Sequence, residues 1–285
     1  WYRKYLEDGF EGLKPKTPQR TSFWNKIPDK QRNEVVEIAL DQTALSPREI
    51  AHHITDNYGW FVSESSVYRI LKERGLITSP AWILMQAADE YKDKTSYVNQ
   101  QWQTDFTYFK IIGWGWYYLS TVLDDYSRYI ITWELCQNME TDDAKRSLDL
   151  AILETGLKKD EMPRLLTDNG SCYISKEFNS YLSGKNISLV HGAPYHPQTQ
   201  GKIERYHRTM KNIVKLENYF FPDELRAKLA EFVDYYNNHR YHESLGNVTP
   251  ADVYFGREKQ IKKQRREVKM RTLKERRETN RRKSA

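Results

Sequence analysis

Trp102-Gln103-Thr104-Asp105-Phe106-Thr107-Tyr108-Phe109-Lys110-Ile111 is the stretch whose reading decides the fold. After a break at Gly113 and Gly115 it resumes as Trp116-Tyr117-Tyr118-Leu119-Ser120-Thr121-Val122-Leu123-Asp124. Two β-branched and aromatic runs around a glycine break predict a β-hairpin. A third strand is expected over 129–135, after the turn Asp125-Tyr126-Ser127-Arg128. Thr141 or Asp142 then caps a helix to about Leu153, and Arg164-Leu165-Leu166-Thr167 reads as a short buried strand that delivers Asp168-Asn169-Gly170 at its end. A helix over 176–183 and a strand over 188–191 follow. Hairpin-linked strands succeeded by alternating helices and strands make a mixed α/β sheet.

Upstream the pattern is helical. Residues 1–6 resemble the end of an amphipathic helix stopped near Gly9, and Pro15 and Pro18 mark an extended basic linker. Residues 27–40 read as a helix. Ser46-Pro47-Arg48-Glu49 combines an N-cap, a first-turn proline and an acid at the third helical position, so a second helix runs from there to about Tyr58. Ser63 or Ser65 caps a third, ended by Gly75. Its outer positions carry Ser65, Ser66, Tyr68, Arg69 and Lys72, which makes a helix-turn-helix candidate able to enter a major groove; a plain three-helix bundle explains the same residues. A polar connector over 81–98 leads to the sheet. A chain opening on Trp1 reads as a fragment or a trimmed product.

The chain has 285 residues and a formal charge of +6, unevenly spread. Residues 257–285 hold 14 Lys+Arg against 4 Asp+Glu, residues 1–97 balance, and residues 98–256 carry a net −4. The basicity belongs to the tail, which reads as a solvated helix or arm, or more sharply as a phosphate-binding one. Two cysteines are too few for a disulfide framework or a structural zinc site, and no apolar run is long enough to span a bilayer, so a cytoplasmic protein is expected. Cys172 has no His and acid partner placed with it in sequence and reads as incidental.

Three carboxylates stand out by position. Asp105 lies inside the first strand, Asp168 at the end of a later one, and Glu204 in a helical segment after a loop that contains Pro and Gly. Strand ends in such sheets form ligand sites, and converging carboxylates suit hard divalent cations and in-line phosphoryl displacement. Spacing alone proves little, because residues 98–256 contain 21 acids. Glu204, Arg208 and Lys211 share a helix face, which a simple salt-bridge face also explains.

Four segments, in order, resemble the integrase core of insertion-sequence transposases and retroviral integrases: Trp102 to Thr107, Tyr118 to Arg128, Leu166 to Gly170, and Tyr195-His196-Pro197-Gln198-Thr199-Gln200-Gly201-Lys202-Ile203-Glu204-Arg205. Asp168 and Glu204 are separated by 35 residues, as in the family's D,D-35-E pattern, and Lys211 matches a basic residue seven positions after the Glu. Residues 237–245 and 249–252 resemble its closing segment. The resemblance implies an RNase H-like core in which Asp105, Asp168 and Glu204 bind two Mg2+ or Mn2+ ions. It also implies cleavage at element ends and transfer of the 3′-hydroxyl to target DNA, with self-association into a dimer or higher on double-stranded DNA, in the bacterial cytoplasm at the nucleoid.

By the same resemblance the helix-turn-helix reading of residues 21–79 outweighs the bare bundle, and residues 1–13 would be the last helix of an earlier helix-turn-helix. Four domains are expected: a remnant and linker (1–20), a helix-turn-helix domain with connector (21–97), the RNase H-like core (98–256) and a basic tail (257–285). Expected DNA contacts are Lys202, Arg205, Arg208, Lys211, Tyr195, His196, Gln198, Ser65, Tyr68, Arg69 and Lys72, with Asn169 and Gly201 in support. His52 and His53 are expected on a helix surface, Trp114, Trp116, Tyr117, Tyr118 and Trp133 in sheet packing, and Asp124 and Asp125 in a turn. Two rival functions stand beside transposition: a DNA-binding regulator with an inactive core, and an RNase H-type nuclease without strand transfer.

Overall fold

A computed structural model describes residues 1–13, 23–77, 95–168, 170–191, 201–215 and 217–284. Two compact units divide the chain: residues 1–80 with 263–285, and residues 81–262.

The first unit is helical. α1 (Tyr2–Leu13) breaks at Gly9, whose φ of 60° is open to glycine. α2 (Asp29–Asp41) and α3 (Pro47–His53) follow, and α3 begins on the predicted box: Ser46 Oγ accepts from Glu49 N while Ser46 N donates to Glu49 Oε2. A π-turn, Ile54–Tyr58, continues α3, and Gly59 ends it in the left-handed region. α4 (Glu64–Glu73) is capped by Ser63, the first of the two predicted serines. Val35, Ile38, Ile50, Ile54, Val62, Val67, Ile70 and Leu71 form the core between these helices. His52 and His53 are half-buried rather than on open helix surface: His53 packs on Asn57 and Tyr58, while burial and the Arg265 guanidinium hold the His52 imidazole below its usual range.

The C-terminal segment is a long helix, α11 (Glu258–Ser284), and from Lys263 onward it belongs to this first unit. Arg265 donates to both Asp56 oxygens at 2.7 and 2.6 Å. Phe61 is gripped on both sides of its peptide, its N–H by Thr272 Oγ1 (3.0 Å) and its carbonyl by Arg276 (2.7 Å). Val268, Thr272 and Arg276 are buried in consequence. One face of the basic tail is therefore a packed fourth side of the helical unit, while Lys263, Arg266, Lys274 and Arg281 stay exposed.

The second unit is a three-layer α/β/α structure. β1 (Gln101–Ile111), β2 (Gly115–Asp124) and β3 (Ile130–Cys136) form the antiparallel meander, and β4 (Arg164–Thr167) and β5 (Ser188–His191) add parallel strands in the order β3-β2-β1-β4-β5. α5 (Thr141–Thr155), α6 (Ser171–Ile174) and α7 (Lys176–Lys185) cover one face, burying Trp102, Leu148, Leu165 and Phe178. α8 (Gly201–Val214) and α9 (Pro222–Asn238) cover the other, burying Phe109, Leu119, Ile203, Tyr206, Met210 and Phe232. α10 (Pro250–Tyr254) follows on a Thr249–Asp252 box. The N-cap of α5 is Glu140, not Thr141 or Asp142; its N–H donates to Asp143, while the Thr141 hydroxyl donates instead to the Cys172 carbonyl.

Trp133 and Tyr117 pack in the sheet as expected, but Trp114 and Trp116 do not: they stand at the turn end of the hairpin and face solvent. Asn237 of α9 replaces a missing ladder partner at β3, accepting from Ile130 N (2.9 Å) and donating to Ile130 O (3.0 Å). Asn237→Ala would strand both buried backbone groups and is expected to cost roughly 2 kcal/mol, read as a lowered urea midpoint by near-UV circular dichroism.

Candidate active site

The β1–β4 ladder pairs Gln101 with Arg164, Trp102 with Leu165 and Gln103 with Leu166. Two residues further along both strands, that register brings Asp105 level with Asp168. Neighbouring strands lie about 4.8 Å apart and paired residues share a face, so the two carboxylates emerge side by side. Beyond Gln103 the ladder ends and β1 becomes an edge toward the cleft. Asp105 shares the face of Phe109 and Ile111, which is the face α8 covers. Glu204 stands exposed in the first turn of α8.

The three acids feel one another. Burial raises the Asp168 carboxyl above its ordinary range and the nearby Asp105 charge adds to this, against the opposing Gly170 N–H. Partial desolvation at the cleft likewise raises Glu204, again with a contribution from Asp105, while Arg208 and His207 oppose it. Asp105 is thus the shared neighbour of both.

Local structure fixes each one. Asp168 Oδ1 accepts from Gly170 N at 2.8 Å, and a Cβ on Gly170 would lie 2.8 Å from that oxygen, so glycine leaves room for the carboxylate. Asp105 Oδ2 lies 3.4 Å from Nδ1 of His207, a buried α8 residue whose other ring nitrogen has no partner among the described residues. The start of α8 is fastened by a polar clasp. Gln103 Oε1 accepts from Ile203 N (3.1 Å), one of the helix's unpaired first N–H groups, and Gln103 Nε2 donates to Asp125 (2.6 Å). Asp125 also accepts from the Lys202 ammonium (2.5 Å) and the Thr95 hydroxyl (2.6 Å). Gln103 is two residues before Asp105, and Ile203 is one before Glu204, so the clasp sets the two acids relative to each other.

The expected residues distribute as follows. Lys202 is engaged by Asp125 through its ammonium, a structural use that a DNA contact would have to compete with. Asp124 does the expected turn work, accepting from Ser127 N and Oγ, whereas Asp125 reaches past the turn to α8. Arg205 and Arg208 are exposed on α8, and Lys211 is half-buried with its ammonium 4.9 Å from the centre of the Tyr108 ring. A Cβ on Gly201 would meet no protein atom. Ser65, Arg69 and Lys72 are exposed on α4 with Tyr68 half-buried beside them. Tyr195, His196, Gln198 and Asn169, the linker at 15–18 and most of the connector at 81–98 lie outside the described residues. Both cysteines are free and buried, and burial pushes Cys172 up to about 11 and Cys136 up to about 12, which leaves them protonated thiols.

His207, Gln103 and Asp125 were not among the sequence candidates. His207 is three residues after Glu204, a spacing that puts it on an adjacent helix position, and this was the available signal. Gln103 carried none, since its partner is a backbone group 100 residues away.

A cleft of about 420 Å³ runs along this edge, with Asp105, Tyr108, Glu204, His207, Arg208 and Lys211 in its wall. Among the described residues no three His, Cys, Asp or Glu side chains are gathered closely enough to enclose a metal ion. The donor set nonetheless fits a hard divalent cation: all three acids are oxygen donors, and their mutual repulsion is what such a cation would relieve.

Residues 96–197 and 185–250 both match the Integrase core domain family, and residues 1–71 match the Homeodomain-like domain family. The latter match runs through residues 1–13, read from sequence as a remnant of an earlier domain. The class is thereby defined: an integrase core with an RNase H-like fold that follows an all-helical, homeodomain-like domain. The chain's curated relatives include an insertion-sequence transposase and retroviral polyproteins. It is 26% identical over 154 residues to transposase InsF for insertion sequence IS3A of Escherichia coli K12, covering 53% of this chain and 52% of that one. It is 32% identical over 114 residues to the Gag-Pro-Pol polyprotein of squirrel monkey retrovirus, covering 40% of this chain and 6% of the polyprotein. The chain thus spans at most about half the length of these relatives. A chain of the simian T-cell lymphotropic virus intasome in complex with PP2A regulatory subunit B56 gamma superposes with a TM-score of 0.50 at 19% identity, covering 77% of this chain and 74% of that one. No described helix is long and apolar enough to cross a membrane.

His242 is half-buried against Tyr236, and desolvation together with Arg240, Arg128 and Arg205 pushes its imidazole down to about 3. Its folded pKa lies below the unfolded value of about 6.5. The unfolded chain therefore binds the extra proton, and stability present above pH 6.5 is lost as pH falls toward 3. Unfolding free energies from urea titrations between pH 7 and 5 should drop more steeply for the wild type than for His242→Gln, by up to about 1.4 kcal/mol per pH unit.

Proposed function

We propose that the chain is a DNA transposase that cleaves the ends of a mobile element and joins the 3′-hydroxyl to target DNA. The observation that carries this is the side-by-side emergence of Asp105 and Asp168 at an open sheet edge, with Glu204 docked over it. Such an edge accepts a phosphodiester where no ladder partner blocks it. Asp105, Asp168 and Glu204 would hold Mg2+ or Mn2+, and a bound pair of ions would activate the attacking oxygen and stabilise the leaving one. Arg208 and Lys211, beside these acids, offset the repulsion between carboxylates and an incoming phosphate. Arg205 and, beyond the described residues, Tyr195, His196 and Gln198 belong to the same DNA surface, with Asn169 and Gly201 in support.

Double-stranded DNA is the partner on this reading. The exposed face of α4, with Ser65, Tyr68, Arg69 and Lys72, would recognise the terminal repeats, and self-association would bring two ends together. Lys202 is reassigned from DNA contact to the clasp with Asp125.

Asp105→Asn, Asp168→Asn and Glu204→Gln are each expected to lower strand transfer at least a hundredfold in Mg2+ while retention of DNA ends in a mobility-shift assay persists. Wild-type rates in any of the three would overturn the site. A cut end never joined to a target plasmid would favour the nuclease reading, and DNA binding without nicking the regulator reading.

The exposed charges of α11 have a separate consequence. Replacing Lys263, Arg266, Lys274 and Arg281 by Gln should leave the helical unit folded and reduce the salt slope of nonspecific DNA binding by up to about 0.9 for each phosphate that is no longer neutralised. An unchanged slope would limit α11 to its packing role.

A further inference from the structure

The hairpin carries two large aromatic side chains where a strand facing water would ordinarily carry polar ones. Tyr108 and Trp116 are each 51% exposed. Tyr108 pairs with Tyr118 and Lys110 with Trp116, so the two exposed rings are diagonal neighbours across the β1–β2 ladder. They meet edge to face, with centroids 5.4 Å apart and planes at 77°. The arrangement is held by the strands and needs no further ordering.

Cations accompany both rings. The Lys110 ammonium is 5.8 Å from the centre of the Trp116 ring and the Lys211 ammonium 4.9 Å from that of Tyr108. Tyr108 also lines the cleft that holds Asp105 and Glu204. It lies three residues along β1 from Asp105, about 10 Å at strand rise and on the opposite face of the strand, and it joins the cleft wall where Lys211 of α8 meets its ring.

An occupant must therefore offer a flat apolar face and negative charge together, within reach of the carboxylates. A protein partner satisfies the first condition poorly here, because lysine is depleted in interface cores. A nucleotide satisfies both. A base inside a duplex is already stacked on both faces, so only an unpaired or extruded one can use the rings.

We propose that Tyr108 and Trp116 form a stacking platform for an unpaired nucleotide next to the scissile bond, with Lys110 and Lys211 taking its phosphates. This rests on the transposase reading, and it adds a requirement that the DNA end be frayed or single-stranded where it meets the cleft.

The test uses the full chain and a duplex bearing a short single-stranded overhang with 2-aminopurine, whose fluorescence falls on stacking, beside a blunt duplex of the same sequence. The wild type should quench the overhang probe and bind it more tightly than the blunt one. Tyr108→Ala and Trp116→Ala, both at exposed positions, should lose the quench and about tenfold in affinity for the overhang, with blunt-duplex binding retained. Tyr108→Phe should restore the quench, since stacking needs the ring and not the hydroxyl. Equal quenching by the alanine variants overturns the platform. So does a change of dimer to monomer by sedimentation in Trp116→Ala with quenching intact, which would make the surface an interface between copies. A wild type that quenches the probe but joins no DNA would sink the transposase reading and leave the platform standing.

Discussion

Everything at the cleft depends on how far β1 and β4 stay paired. β4 is four residues long and its ladder with β1 stops at Gln103 and Leu166. Had it continued, Asp105 would sit within a closed sheet, and its neighbour Asp168 would be a strand residue rather than the first one past an end. Because it stops, two carboxylates leave adjacent strands at the same level and toward the same helix. The cost is repulsion and burial of charge, visible in the upward displacement of Asp168 and Glu204.

That repulsion would push a freely docked helix away, and the clasp opposes it. Gln103 uses both ends of its amide, one on the first turn of α8 and one on Asp125, while Asp125 collects the Lys202 ammonium from the same turn. Ile203 and Tyr206 then bury the adjacent face of α8 in the core. Polar fastening sets the position of the helix and apolar packing supplies the bulk of its hold. The residues 125 and 202 come from two of the segments that resemble the integrase core, which gives those segments a physical reason to occur together.

The strands of the meander and the box at Ser46 were legible because their signals are local: alternation, a glycine break, a cap three residues from its acid. The three acids were legible as candidates through their neighbours in sequence, and the resemblance ordered them. The clasp was not, since a glutamine on a strand gives no sign that a helix N–H 100 residues away will meet it. The packing of the basic tail is hidden for a similar reason. Its charge pattern is that of a solvated arm, yet Val268, Thr272 and Arg276, spaced four apart, form a stripe that buries against the Phe61 turn. A stripe of one apolar residue, one hydroxyl and one guanidinium does not register as hydrophobic periodicity. The exposed Trp116 departs from expectation in the opposite direction, because an aromatic residue in a strand usually packs.

The central claim is that the open edge of β1 gathers Asp105 and Asp168 into one cation site. Anomalous scattering from crystals of the full chain soaked in Mn2+ tests it most directly. A manganese peak bridged by the carboxylates of Asp105 and Asp168 is the expected result; manganese bound elsewhere, with the edge empty and the two carboxylates apart, would contradict it.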